Sequence, residues 1–498
     1  MSTIRIKNLT YGFDLQSTLL FENADLTIQT SWKLGLVGRN GRGKTTLLNL
    51  IQGKLPYTGN IEHQTNFLYF PQEVKDETLL TYQILEGFDE TEYWKLEREL
   101  NLLAVNPEVL WLPFEQLSGG EQTKVLLAIL FAQDEGFPLI DEPTNHLDLA
   151  ARKLVAHYLK SKKQGFILVS HDRQLVDDVV DHILSIERNQ LVLHQGNYSL
   201  YEAEKKQRDA TELANNTKLK REINRLSKTA DEKAQWSGSR EKDKYGDPHK
   251  KGSGGIGDTG AIGARAARVM KRSKAIIHRM EDQISEKEKL LKNLEKVDPL
   301  TIHVKSTYKK QWIKAENLQL FYGDRALFAP ISFELNKGDR LAITGANGSG
   351  KTSLIDFLLG NFQGEVKGEV TIARNWTLSL VRQDFKDNTG TLAEFSEKRQ
   401  IREEELLNHI RKLGVERSVF LNKIEQMSQG QQKRVEIAKA MLTPADIFIW
   451  DEPLNYLDIL NHQQLQQAIL KANPTMIIVD HDQYFLSKVA TKTIELRD

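Results

Sequence analysis

Two short stretches of this 498-residue sequence carry the groups needed to hold a polyphosphate. Gly38-Arg39-Asn40-Gly41-Arg42-Gly43-Lys44-Thr45 and Gly345-Ala346-Asn347-Gly348-Ser349-Gly350-Lys351-Thr352 share one pattern, spaced glycines followed by a lysine and a hydroxyl residue. The glycines let successive backbone N–H groups converge on an anion, and the N-terminus of the following helix adds its dipole. Lys44 and Lys351 are expected to reach the β- and γ-phosphates of ATP. Thr45 and Thr352 are expected to ligate Mg²⁺, with Thr46 and Ser353 beside them on the phosphates. A glycine-rich turn before a helix can arise by chance, but here it arises twice, each time after an apolar run (KLGLVG, RLAITG).

A second pair of sites closes another apolar run in each half. FPLID ends at Asp141 and is followed by Glu142; DIFIWD ends at Asp451 and is followed by Glu452. An acidic pair after a strand is commonly a helix cap. Downstream of a phosphate loop it reads instead as a Mg²⁺ carboxylate (Asp141, Asp451) and a base that polarises the attacking water (Glu142, Glu452).

The elements that position these groups repeat. LVGRNGRGKTTLLNLI (Leu36–Ile51) recurs as ITGANGSGKTSLIDFL (Ile343–Leu358), and FILVSHDRQLV (Phe166–Val176) as MIIVDHDQYFL (Met476–Leu486). Ser118 and Glu142 are 24 residues apart, as are Ser428 and Glu452; Glu142 to His171 and Glu452 to His481 are both 29. Constant intervals mean one domain used twice. Alternating short apolar runs and longer helical stretches predict an α/β fold with a mainly parallel sheet in each copy. Polar residues at the strand ends put a site on one sheet edge.

LSGGEQTK (Leu117–Lys124) is similar to the signature segment of the ATP-binding-cassette superfamily, P-loop domains of RecA-like fold. The resemblance implies that Ser118, Gly119 and Gly120 bind the γ-phosphate across an interface, in composite sites made from the phosphate loop of one cassette and the signature of the other. It also assigns Gln72 and Gln383 as Q-loop glutamines on Mg²⁺, His171 and His481 as switch histidines, Phe13 and Tyr322 as the aromatics on adenine, and Asp148 and Asp458 to the D-loops. For the two aromatics a core role is the plain alternative. The second signature, Met427-Ser428-Gln429-Gly430-Gln431-Gln432, departs by carrying Gln429 in place of the first glycine while keeping Ser428 and Gly430.

The chain is 40% hydrophobic and 27% charged, an ordinary globular composition, and has no net charge. No apolar run reaches the roughly 18–20 residues needed to cross a bilayer. The first residues read as a strand rather than a leader, and the absence of cysteine excludes disulfides and thiolate sites. Both features suit the cytoplasm. The neutral total hides a basic middle: residues 215–280 hold 17 Lys and Arg against 7 Asp and Glu. Domain boundaries are expected at 1–200 for the first cassette, 201–305 for a linker and 306–498 for the second cassette. In the linker, Leu219, Ile223, Leu226 and Ala230 recur at helical steps, as do Ile277, Met280, Ile284, Leu291 and Leu294, with one step missing at Lys287/Glu288. Two narrow stripes joined by a glycine-rich turn near 244–263 predict an antiparallel coiled-coil hairpin.

Two cassettes without a membrane span, joined by a helical linker, resemble the ABC-F proteins over the whole chain. That family binds the bacterial 70S ribosome at the tRNA exit site, beside P-site tRNA, and pushes its linker tip toward the peptidyl-transferase centre. The segment Asp243–Lys274 is similar to the linker of the Lsa-type antibiotic-resistance proteins, which release lincosamides, pleuromutilins and streptogramin A compounds. The Lsa pattern has an aromatic where this chain has Gly257, which favours rearrangement of rRNA by the tip backbone over direct displacement of drug. The equal Q-loop-to-signature intervals (46 and 45 residues) imply no arm insertion, and the 17 residues after His481 leave no room for a C-terminal domain. Independently of the resemblance, Lys244, Lys250, Lys251, Arg265, Arg268, Lys271 and Arg272 crowd the tip and the stretch past it, with Gly257 between them. Such a cluster suits rRNA phosphates better than a merely solvated face. The expected molecule is a monomer with intramolecular pairing of its cassettes. Two other readings remain open at this level: a housekeeping translation factor for stalled ribosomes, and a transporter motor whose membrane subunits are separate chains. A DNA-repair ATPase fits less well, because its coiled coil interrupts one cassette and often carries cysteine-bound zinc.

Overall fold

The structure is a computed structural model that describes all residues except 1, 14–18, 85–92, 134, 146, 188–189, 244–270, 272–273, 281, 286, 288–297 and 498, and the side chains of 234–243. It divides into two compact units. One comprises Met1–Tyr201 with Val297–Asp498 and holds both cassettes; the other is Glu202–Lys296.

Each cassette is built on a largely parallel sheet whose strands are apolar on both faces, as burial under helices on one side and a second sheet on the other requires. In the first, the strand order is Phe67–Phe70, Phe137–Asp141, Phe166–Val169, Lys33–Val37, His182–Glu187, with Gln190–Gln195 antiparallel at the edge. In the second it is Leu378–Val381, Ile447–Asp451, Met476–Val479, Arg340–Gly345, Lys492–Leu496, parallel throughout. The expected strands are thus present, and in the same order in both copies. Antiparallel strands cover one face of each sheet: Thr3–Tyr11 between Phe21–Gln29 and Thr58–Glu62, and Gln311–Tyr322 between Ile331–Asn336 and Glu365–Ile372. Ile4, Ile6, Leu34, Leu36, Ile167 and Val169 form part of the core between the first pair of sheets. The opposite face is covered by helices, among them Gly119–Ala132, whose Val125, Leu127 and Ala128 are fully buried.

The second core takes in Leu300 and Ile302, and His303 and Lys305 donate backbone hydrogen bonds to Met441 and Ala445, both at 2.9 Å. Residues 298–305 therefore belong to the second cassette, not to a linker running to 305. The physical reason is that two apolar side chains at alternate positions find a core there.

In the smaller unit, Glu202 onward continues the helix Tyr198–Asp243, and residues 274–280, 282–285 and 287 are helical. Leu219, Ile223, Leu226, Ile277, Met280 and Ile284 are half-buried and Ala230 is buried, whereas the residues between them are mostly exposed. Lys287 occupies the missing apolar step, and its Nζ donates to Glu222 Oε2 at 2.6 Å. This bond, with the charge of Lys287, holds the Glu222 carboxyl below its ordinary range. Lys271 is helical and exposed; Lys244, Lys250, Lys251, Gly257, Arg265, Arg268, Arg272, Leu291 and Leu294 lie outside the described residues. Among the described residues no helix is long and apolar enough to cross a membrane.

Ile477 lies in the middle strand of the second sheet and is fully buried. Ile477→Ala removes buried methylene and methyl groups and leaves a cavity, so it should cost about 2–5 kcal/mol. A lowered urea midpoint with ATP hydrolysis retained in the native range is the expected result.

Candidate active sites

Parallel register is what assembles the site. Leu36 and Asp141 both pair with Val169, so the phosphate loop, the acidic pair and His171 leave the first sheet at one edge. Ile343 and Asp451 pair with Val479 in the second, with the same consequence for His481. Glu142 N donates to Val169 O and Glu452 N to Val479 O, both at 2.8 Å. Both glutamates have left-handed backbone, φ 53° and 45°. That conformation costs a non-glycine residue about 1–3 kcal/mol and persists only where neighbours enforce it. Gly43 (φ 86°) and Gly350 (φ 85°) also lie in the left-handed region, at the turn into the helices Lys44–Ile51 and Lys351–Leu359. There the absence of a Cβ is required.

In the first cassette Lys44 Nζ is held by Gly38 O (2.9 Å) and Asn40 Oδ1 (3.1 Å). Thr45 Oγ1 donates to Asp141 Oδ2 at 2.7 Å, and the Tyr69 hydroxyl donates to the same oxygen at 3.1 Å. Glu142 accepts from the His171 backbone N at 3.2 Å, and His171 Nε2 lies 3.3 Å from its other oxygen. Burial pushes the Glu142 carboxyl up to about 8, against the pull of Lys44. Burial, with the Lys44 charge, holds His171 well below the ordinary imidazole range, so its ring is neutral.

The second site is wired differently. Lys351 Nζ donates to Gly345 O (3.0 Å) and Ala346 O (2.7 Å). Glu452 accepts from Gln383 Nε2 (3.2 Å) and Asn455 Nδ2 (2.7 Å), with His481 Nε2 at 3.6 Å. The neighbouring His481 ring is the main cause that holds Glu452 below its ordinary range, helped by the hydrogen bond from Gln383. Burial pushes Asp451 up to about 6. Behind these acids Lys433 is buried, and burial pushes its ammonium down to about 8.

Oxygen donors for a hard cation are present. Besides Thr45 and Asp141, Gln72 offers a buried Oε1 with no hydrogen-bond partner, its Nε2 being spent on Leu126 O at 3.3 Å. Hydroxyl, carboxylate and amide oxygens are a donor set that fits Mg²⁺.

The two cassettes complete each other. Asp458 caps its own helix through Oδ1 (from Asn461 N, 2.8 Å) while Oδ2 accepts from Asn40 N of the other phosphate loop at 2.9 Å. Asp148 does the same, with Ala151 N at 2.8 Å and Asn347 N at 3.3 Å. Burial raises the Asp148 carboxyl, but these amide donors outweigh it and the net shift is downward. A cavity of about 250 Å³ is lined by Asn40, Glu142 and His171 together with Gly430 and Tyr456 of the opposite cassette. A second, of about 480 Å³, is lined by Tyr322, Asn347, Gly348, Gly350, Lys351, Thr352, Ser353, Gln383, Glu452 and His481 together with Leu147 and Arg152. The first signature residues lie at the start of the helix Gly119–Ala132, where Ser118 and Glu121 form a reciprocal cap. Ser428 and Gln431 form the same cap in the second copy. Gln429 takes an ordinary first-turn helical position with an exposed side chain, so the departure from glycine leaves the backbone intact. Phe13 packs edge-on against Tyr11 at 5.4 Å, and Tyr322 is tilted on Phe362 at 5.1 Å; both rings remain exposed.

The ABC transporter family model matches residues 21–145 and 328–455, once per cassette. The chain belongs to this family of ATP-binding cassettes, as a member of its F group. It is 29% identical to the ribosome protection protein VmlR of Bacillus subtilis over 99% of this chain and 86% of that protein. It is 25% identical to ABC transporter F family member 5 of Arabidopsis thaliana over 100% of this chain and 75% of that one. Among solved structures, the archaeal ribosome recycling factor aABCE1 superposes with a TM-score of 0.63 at 19% identity, covering 98% of this chain and 87% of that one, which shows the shared tandem fold. As in its family, this chain hydrolyses ATP.

Sequence reasoning missed four contributors. Asn455 repeats Asn145 within DEPLN and DEPTN, and that recurrence was the available signal. Tyr456 offers a backbone oxygen to Asn40 Nδ2 at 3.2 Å, for which side-chain identity gives no signal. Arg152 and His462 hold equivalent places beside Asp172 and Asp482, at 3.5 and 3.6 Å, yet differ in type and so escape a search for repeats.

The pH dependence has a definite sign. With its folded value near 8, Glu142 binds its proton more tightly folded than unfolded, so its contribution to stability falls as pH rises from about 4.5 to 8. Thermal unfolding of the nucleotide-free chain should show Glu142→Gln more stable than the native protein at pH 8, with the gap closing toward pH 5. A gap independent of pH would contradict the burial of an ionisable group here.

Proposed function

We propose that this ATPase binds the bacterial ribosome at the tRNA exit site and uses its linker to remodel the peptidyl-transferase centre, releasing bound lincosamide, pleuromutilin or streptogramin A antibiotics. The observation that carries this reading is the extent of similarity to a ribosome protection protein: 99% of the chain aligns, linker included. The basic surplus of residues 215–280 supports an rRNA partner, because Lys and Arg side chains displace counterions from phosphate. The absence of a membrane-crossing helix among the described residues, with the lack of cysteine, supports a cytoplasmic location.

In this reading ATP at both loops draws the cassettes together. Lys44 and Lys351, now donating to carbonyls of their own loops, turn to the β- and γ-phosphates, and Ser428 and Ser118 meet the γ-phosphate from the opposite cassette. Mg²⁺, held by Thr45, Asp141 and Gln72 or by Thr352, Asp451 and Gln383, would neutralise charge on the transferring phosphoryl group. Glu142 and Glu452 take the proton of the attacking water, and His171 and His481 hold those carboxylates in place. Hydrolysis removes the bridging phosphate and lets the cassettes part, so binding sets the linker and hydrolysis releases it.

Glu142→Gln with Glu452→Gln should slow hydrolysis by about 10² or more while retaining ATP binding, and the variant should co-sediment with ribosomes in ATP. Sedimentation free of ribosomes would defeat the ribosome reading. Expression in a susceptible bacterium should raise tolerance to lincosamides and pleuromutilins, and replacement of residues 252–263 by a short Gly-Ser loop should abolish it. Unchanged drug sensitivity combined with ribosome binding would favour a translation factor for stalled ribosomes.

A further inference from the structure

The two copies differ in residue type five residues into the signature helix. In the second copy this position is Lys433, 1% exposed on the helix Gln429–Leu442. Its Nζ donates to Arg382 O at 3.1 Å and lies 3.4 Å from Asp451 O. Arg382 immediately precedes Gln383, and Asp451 immediately precedes Glu452. One ammonium thus bonds the backbone just before the Q-loop glutamine and just before the base. In the first copy the position is Thr123, whose hydroxyl donates to Gly119 O of its own helix at 2.8 Å and reaches neither segment.

The surroundings are built for that cation. Arg382 is fixed in turn by Glu436, fully buried one turn along the same helix, at 3.1 Å, and by Asp387 at 2.8 Å. Asn388 donates to Glu436 at 2.7 Å, and Lys439 pairs with it at 2.6 Å. At the places of Arg382, Glu436 and Lys439 the first cassette has Pro71, Leu126 and Ile129, which can form no such network. A buried ammonium is costly unless acceptors and opposite charge surround it, and Glu436, Asp451, Glu452 and Asp480 supply that charge. The glutamines differ accordingly. Gln383 Nε2 donates to Glu452 Oε2 at 3.2 Å, whereas Gln72 Nε2 turns to Leu126 O.

We propose that Lys433 is a positioning residue for the second site: it clamps the Q-loop to the end of the Asp451 strand, seats Gln383 on Glu452, and so makes hydrolysis at the Lys351 loop faster than at the Lys44 loop. The proposal rests on Glu452 acting as the base.

Single-turnover hydrolysis of ATP tests it with the sites read separately, the second in a Glu142→Gln chain and the first in a Glu452→Gln chain. The second site should show the larger maximal rate. Lys433→Met keeps the volume and removes the donor. It should lower the maximal rate of the second site by about 10–100-fold with the half-saturating ATP concentration unchanged, and leave the first site unaltered. Lys433→Gln, which retains a donor, should give an intermediate rate and guards against a poorly folded Met variant. The first site is the internal control, because it receives Ser428 and Gly430 from the same helix. Equal losses at both sites would reduce Lys433 to a structural role and overturn the proposal. An unchanged rate with Met would overturn it as well, and a second site slower than the first, or silent, would overturn the ranking.

Discussion

Two carboxylates, each divided between two tasks, hold the catalytic arrangement together. Asp148 and Asp458 both give one oxygen to the first turn of their own helix and the other to a phosphate-loop amide of the opposite cassette. Either task alone would be a common capping bond or a common surface contact. Joined in one side chain, they make the position of the D-loop depend on the position of the facing phosphate loop. Neither cavity is complete without residues from both cassettes, so a ligand filling either one would touch both. The spacing of elements within each cassette matters because it delivers these two aspartates to the same interface.

Pseudo-symmetry ends at the glutamates. Both stand on left-handed backbone beside a histidine, but burial dominates around Glu142 while hydrogen bonding dominates around Glu452. The departure most visible in the sequence, Gln429, occupies an exposed first-turn position of an intact capped helix. The larger asymmetry lies underneath, where charged residues of the second cassette replace Pro71, Leu126 and Ile129 of the first. Polar side chains inside a core are tolerated only when every member finds a partner. Glu436, Arg382, Lys439 and Asn388 do so, and the loop they brace carries Gln383.

The smaller unit follows the same logic with fewer apolar contacts. Its stripes are narrow and half-buried, and a Lys287–Glu222 pair stands where one apolar step is missing. A polar pair at a single core position favours one register of two helices at some expense of stability.

Much of this was legible in the sequence, for identifiable reasons. The phosphate loops and the acidic pairs are local patterns whose chemistry follows from residue type, and their repetition at equal spacing, with that of His171 and His481, determined a duplicated α/β cassette. The short apolar runs pointed to the strands, because strands of a parallel sheet covered on both sides are apolar on both faces. The linker boundary near 305 was not legible, because two apolar residues at alternate positions do not reveal which core they enter. Tertiary structure alone decided that Asp148 and Asp458 bridge the cassettes, that Gln72 and Gln383 point to different acceptors, and that Thr123 and Lys433 do different work. Each of those outcomes depends on which residues, distant in the chain, face one another across an interface or a core, and no local pattern carries that information.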